Sequence, residues 1–220
     1  MENENSFQNN ESAVNNNITE GNLLLKIWTS PKATLEFVLN YCPQKYVLLL
    51  FALGGISRSI DRASTKGMGD NMSTVSILTI SIIAGGLFGW LSYYFYAWLL
   101  EVTGKWLKGN ASFSQFKTIL AWSLVPTAFS LLLLIPELMI FGDEIFKSET
   151  FSPNWITDMV LLLFGLMEIT LGIWTLVILI KGISLVQNFS TGKSVLNAFL
   201  PALLILIPII LLALLIKGLI

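Results

Sequence analysis

Histidine is absent from these 220 residues, and cysteine occurs once, as Cys42. Without histidine there is no His-ligated zinc site, no Ser-His triad and no imidazole proton relay. A lone cysteine builds no intrachain disulfide. Charge is also scarce. Asp, Glu, Lys and Arg make up 12% of the chain, about half the level of a soluble domain. A net charge of −1 gives no basic surface for nucleic acid. The HExxH and Gly-x-Ser-x-Gly signatures are missing, and so is the second mid-span aspartate of a two-aspartate intramembrane protease. The spacing of the remaining acids asks for no metal or cofactor.

What fills the chain is apolar: 54% of it, gathered into long runs. The run that organises the rest is Ile156–Ile180, with Glu168 at its midpoint and Lys181 closing it. As a helix it reaches ~37 Å, enough to cross a hydrocarbon core of about 30 Å. Four more stretches read as spans: Gln44–Ile60, Val75–Val102, Thr118–Phe141 and Val195–Ile216. Pro126 and Pro136 predict kinks in the third span, Pro201 and Pro208 in the fifth. The expected fold is all-α: a polytopic membrane protein, a bundle of five transmembrane helices preceded by short interfacial helices.

Ahead of the 44–220 membrane domain, residues 1–21 form an Asn-rich segment with Glu2, Glu4, Glu11 and Glu20 and no basic residue. It carries too little apolar surface to offset ordering and reads as a disordered tail. Residues 22–43 read as an interfacial amphipathic segment of two short helices, the second opened by Ser30 as N-cap and Pro31. Lysine and arginine distribute eight to five in favour of the N-terminal side, which places the N-terminus in the cytosol.

Gly85 and Gly89 form a GxxxG within a small-residue face that also holds Ser81 and Ser92, suited to close helix packing. The aromatic cluster Trp90, Tyr93, Tyr94, Tyr96 and Trp98 reads as an interface belt. Glu101 and Lys105 are spaced to pair across one helical turn.

The stretch Gly104-Lys105-Trp106-Leu107-Lys108-Gly109-Asn110-Ala111-Ser112-Phe113, with Trp122-Ser123-Leu124-Val125-Pro126, resembles the Yip family, membrane proteins of the Ypt/Rab-interacting-protein type, in its bacterial branch. Trp174 to Leu196, with Gly182-Ile183-Ser184 and Ser190-x-x-Lys193, continues the resemblance, as does Trp28-x-Ser30-Pro31. It covers roughly Trp28 to the C-terminus. It implies five membrane helices, a cytosolic N-terminus, no enzymatic chemistry and a role in membrane organisation or trafficking. The Asp-Leu-Tyr-Gly-Pro run of eukaryotic members is absent, so Rab binding is not implied.

Glu168 is the leading candidate for function, because an acid at membrane depth is costly unless it faces protein or water. Gly165, Glu168, Gly172 and Thr175 share one helical face, which reads as a packing face. The expectation is a protonated Glu168 donating to Thr127 or Ser130 on the third span. Glu137 and Asp158 lie toward the same side and could attract a cation there; ordinary interface residues are the simpler reading. Two functions follow. The first is a non-enzymatic scaffold or trafficking factor whose partners are the lipid bilayer and other membrane proteins or further copies of itself. The alternative is a small transporter or channel subunit using Glu168. The expected location is a bacterial inner membrane, or an endomembrane if the source is eukaryotic.

Overall fold

The computed structural model describes residues 18–148 and 154–218. The expected tail therefore lies outside the described residues as far as residue 17. Ile18 is buried in the core, and Glu20 forms an ion pair with Lys45 at 2.7 Å. All regular structure among the described residues is helical.

Two short helices come first, α1 (Leu23–Thr29) and α2 (Pro31–Tyr41). Pro31 occupies the first turn of α2, where its missing N–H costs nothing. The expected Ser30 cap differs in detail. The Ser30 side chain makes no capping bond; its carbonyl accepts from the Thr34 hydroxyl at 2.9 Å. Leu23, Ile27, Leu35 and Val38 turn inward, so both helices cover the main core.

Next comes α3 (Val47–Thr65), then a 3₁₀ turn (Met68–Asp70), and α4 (Thr74–Trp106), whose helix widens to π geometry at Ser81–Gly85. After the turn at Lys108 run α5 (Phe113–Ser123) and α6 (Val125–Phe141), then a 3₁₀ segment (Gly142–Phe146). The chain closes with α7 (Trp155–Gln187) and α8 (Thr191–Gly218).

Among the described residues, four stretches are long and apolar enough to cross a membrane: Thr74–Trp106, Phe113–Phe146, Trp155–Gln187 and Thr191–Pro208. Exposed Leu, Ile, Phe, Met and Trp side chains run along them, as a lipid solvent requires. The expected first span corresponds to α3, 19 residues long and carrying Arg58, Asp61 and Arg62. It extends beyond Ile60 to Thr65, so Arg58 lies inside the helix instead of near its end. At ~28 Å it is about as long as a hydrocarbon core is thick.

The third span is interrupted at Leu124, as the expected disturbance at Pro126 requires: Pro126 lies in the first turn of α6 and has no N–H to continue the α5 ladder. Pro136, Pro201 and Pro208 are carried inside helices.

The GxxxG has a partner. Gly85 and Gly89 of α4 lie against Gly55 of α3: a Cβ on Gly55 would stand 2.2 Å from the Gly85 carbonyl oxygen and 2.6 Å from the Gly89 Cα. Gly165 and Gly172 correct the expectation of a second packing face. A Cβ on either would meet nothing within 4 Å: Gly172 is exposed, and Gly165 borders a cavity instead of a neighbouring helix. The aromatic cluster divides as well. Trp90 and Trp98 are exposed, whereas Tyr93 stacks on Phe51 at 5.2 Å and the Tyr96 hydroxyl donates to the Ala198 carbonyl at 2.7 Å.

The two ends of the bundle differ. The larger core lies at the end holding α1, α2 and Trp122; a smaller one gathers Ile60, Ala63, Ile77 and Phe146 at the other. The Thr118 hydroxyl donates to the Pro43 carbonyl at 2.9 Å, while Gly67 abuts Ser148. The two ends of α3 therefore sit at opposite ends of the α5–α6 span.

Candidate functional site

Three helices bring one acid each to a single cavity of about 320 Å³: Asp61 from α3, Glu137 from α6 and Glu168 from α7. Asp61 follows from the extension of α3 past Ile60. Glu137 follows from Pro136, carried within α6. Hydroxyls of Ser57, Ser64, Thr65 and Ser130 and the ammonium of Lys147 complete the polar lining. Glu168 thus has ionisable companions in the cavity: two acids on neighbouring helices and one lysine. Asp158 does not line this cavity. Among the described residues no group of three or more Asp, Glu, Cys or His side chains is placed to hold a metal ion.

The expected bond from Glu168 to Thr127 or Ser130 is not made. Ser130 donates to the Thr127 carbonyl at 2.7 Å, which leaves its oxygen to accept from Ser57 at 3.0 Å. Thr127 pairs with Thr175 at 2.9 Å. The hydroxyls are satisfied by one another, so Glu168 shares the cavity wall with Ser130 without bonding to it. Thr175 had been placed on the Glu168 face by helical spacing, and it is that neighbour which finds α6.

A second polar centre lies at the opposite end. Gln187, at the end of α7, accepts from the Ala111 N–H at 3.0 Å. Its carboxamide fills the space a side chain would take at Gly104 and Gly109: a Cβ there would stand 2.1 Å from Nε2 and 2.0 Å from Oε1 respectively. Asn197 of α8 donates to the Leu100 carbonyl at 3.1 Å and the Thr103 hydroxyl at 2.8 Å. Gln187 Nε2 and Asn197 Oδ1 are buried and make no hydrogen bond among the described residues. This clasp ties α4, the turn at Lys108, α7 and α8 together. The following helix starts with a capping box, Ser112 and Gln115. The Ser-x-x-Gln spacing carried that signal in the sequence. Gln187 and Asn197 carried none, since an isolated amide near a helix end reads as solvated.

Outside the spans, the Ser148 hydroxyl and backbone N–H both donate to Asp70 and hold its carboxyl below the usual carboxylate range. Burial, aided by the charge of Glu20, pushes the Cys42 thiol up, which keeps it a thiol and a weak nucleophile. Glu101 and Lys105 form the expected pair at 2.8 Å.

Long apolar helices and the exposed hydrophobic surface along them define an integral membrane protein of the α-helical class. The Yip1 domain matches residues 26–213, and the chain belongs to the Yip family. No curated protein and no solved structure matches it.

Proposed function

We propose that this Yip-family protein is a non-enzymatic membrane scaffold, a factor in membrane organisation or trafficking that assembles with other membrane proteins or with copies of itself. The observation that carries this is the Yip1 domain over residues 26–213. Supporting it, the first half of α7 leaves Ile156, Met159, Leu162, Leu166 and Ile169 uncovered by the rest of the chain. In a bilayer such a stripe is covered by lipid or by another helix. Five crossings, α3 included, with a cytosolic N-terminus in a plasma or inner membrane, complete the reading. The eight-to-five distribution of basic residues and the position of the two ends of α3 support it.

The test is a pull-down of the full chain in mild detergent, paired with a flux assay in proteoliposomes. Stable membrane-protein partners without substrate flux are the expected result. A second reading, proton or cation handling, is favoured by the convergence of Asp61, Glu137 and Glu168 on one cavity. Flux into proteoliposomes that Glu168→Gln abolishes would establish that reading and displace the first.

A further inference from the structure

We propose that the groove between α2 and α7 binds an anionic phospholipid, its phosphate held by Lys32 and Lys181 and its acyl chain laid along Val177 and Ile180. The groove encloses about 710 Å³. Gly182 packs beside it: a Cβ there would stand 2.9 Å from the Ile119 Cβ of α5 and 3.2 Å from the tip of Leu35 of α2, so α5 and α2 both close on this face of α7. Leu35 goes inward, and Lys32 and Glu36 are left on the groove wall beside Lys181.

Both lysines are exposed, and neither makes an ion pair or hydrogen bond among the described residues. Glu36 is the only acid on the wall. Two cations against one carboxylate leave a net charge of +1, matched to a single phosphodiester and not to a polyanion. The wall also changes character with depth along α7. Val177 and Ile180 lie on the mid-span side and are purely apolar; Lys181, Ser184 and Asn188 follow outward with Leu185 and Phe189 among them, and Thr191 opens the next helix, so the polar groups are confined to the outer part. Free phosphate would use only the outer half. An amphiphile uses both, with its head at the lysines and its chain on the apolar part. Basic pockets beside transmembrane helices hold acidic headgroups by this complementarity. This charge and polarity match is the same whichever leaflet the groove faces, and whether or not the protein is a scaffold.

The full chain in mild detergent is titrated with dioctanoyl phosphatidylglycerol, following its melting temperature and the lipid-bound species by native mass spectrometry. At roughly 1 kcal/mol per interfacial lysine, Lys32→Gln and Lys181→Gln should each weaken binding about fivefold and the pair about thirtyfold. Dioctanoyl phosphatidylcholine should bind much more weakly to the native protein and be indifferent to the variants. Equal affinity for the two lipids, or a double variant that binds phosphatidylglycerol like the native protein, overturns the proposal. So does displacement of the lipid by millimolar inorganic phosphate, which makes this a phosphate site, or by a glutamate-rich peptide, which makes it a protein-docking site. If the double variant melts early without lipid, Glu36→Gln replaces it. That change must tighten phosphatidylglycerol about fivefold, and an unchanged affinity overturns the proposal equally.

Discussion

Gln187 shows how much a single side chain decides in this protein. Its carboxamide is buried among the residues that flank the Lys108 turn, and its oxygen accepts the hydrogen bond of the Ala111 N–H. Gln187→Ala should lower stability by about 1–3 kcal/mol by stranding that N–H, read as a lower melting temperature in detergent. Gly104→Ala should cost a similar amount, because its Cβ meets the carboxamide. The two costs should not add: in the Gln187→Ala background the space is free, so a double-mutant cycle should give a coupling of about 1 kcal/mol or more. At the other end, Asp70 predicts a pH response. Its pKa is lower folded than unfolded, so its tie to Ser148 contributes fully above the unfolded value and is lost as pH falls through the folded one. Protection of the Ser148 amide from hydrogen exchange should hold from neutral pH down through the ordinary aspartate range, about 4, and be lost only below it, and Asp70→Asn should remove the pH dependence.

Among the helices, α3 and α4 pack backbone to backbone through Gly55, Gly85 and Gly89, and the contacts are with main-chain atoms that cannot swing aside. Gly55→Ala should therefore destabilise by about 1–3 kcal/mol. Gly165→Ala and Gly172→Ala should be neutral or stabilising by up to about 1 kcal/mol, since their Cβ atoms meet nothing and alanine favours helix. Thermal melts of the three variants check both statements together. The same comparison explains why small residues at helical spacing are ambiguous in sequence. Spacing puts them on one face, but whether a helix arrives there depends on where the other helices go. Pro126 is the opposite case. A proline's lost N–H is a local fact, so the interruption at Leu124 was legible from Pro126 alone.

For the whole molecule, the ends of the helices sort into two sets. Pro43, Leu107 and Lys193 lie at one end: Thr118 reaches Pro43, and Lys193 reaches the Leu107 carbonyl at 3.4 Å. Gly67 and Ser148 meet at the other. In a Cys42→Ser background, cysteines at Asn110 and Lys193 should be labelled from one compartment and cysteines at Lys66 and Lys147 from the opposite one. Labelling of Lys66→Cys together with Asn110→Cys would show that α3 does not cross. The absence of histidine, the sparse charge and the apolar runs determined the solvent of this protein, because unpaired backbone and charge are excluded from lipid whatever the tertiary arrangement. They also determined its helical class, and the glycine-bounded turn with its proline-led helix was enough to indicate the family. Only the tertiary structure decided what meets what: that Asp61, Glu137 and Glu168 share a cavity, that Thr127 turns to Thr175 instead of Glu168, and that Gln187 occupies the space of two missing side chains. Those contacts join residues dozens of positions apart, and local periodicity fixes the face a side chain occupies but not the neighbour that face will find.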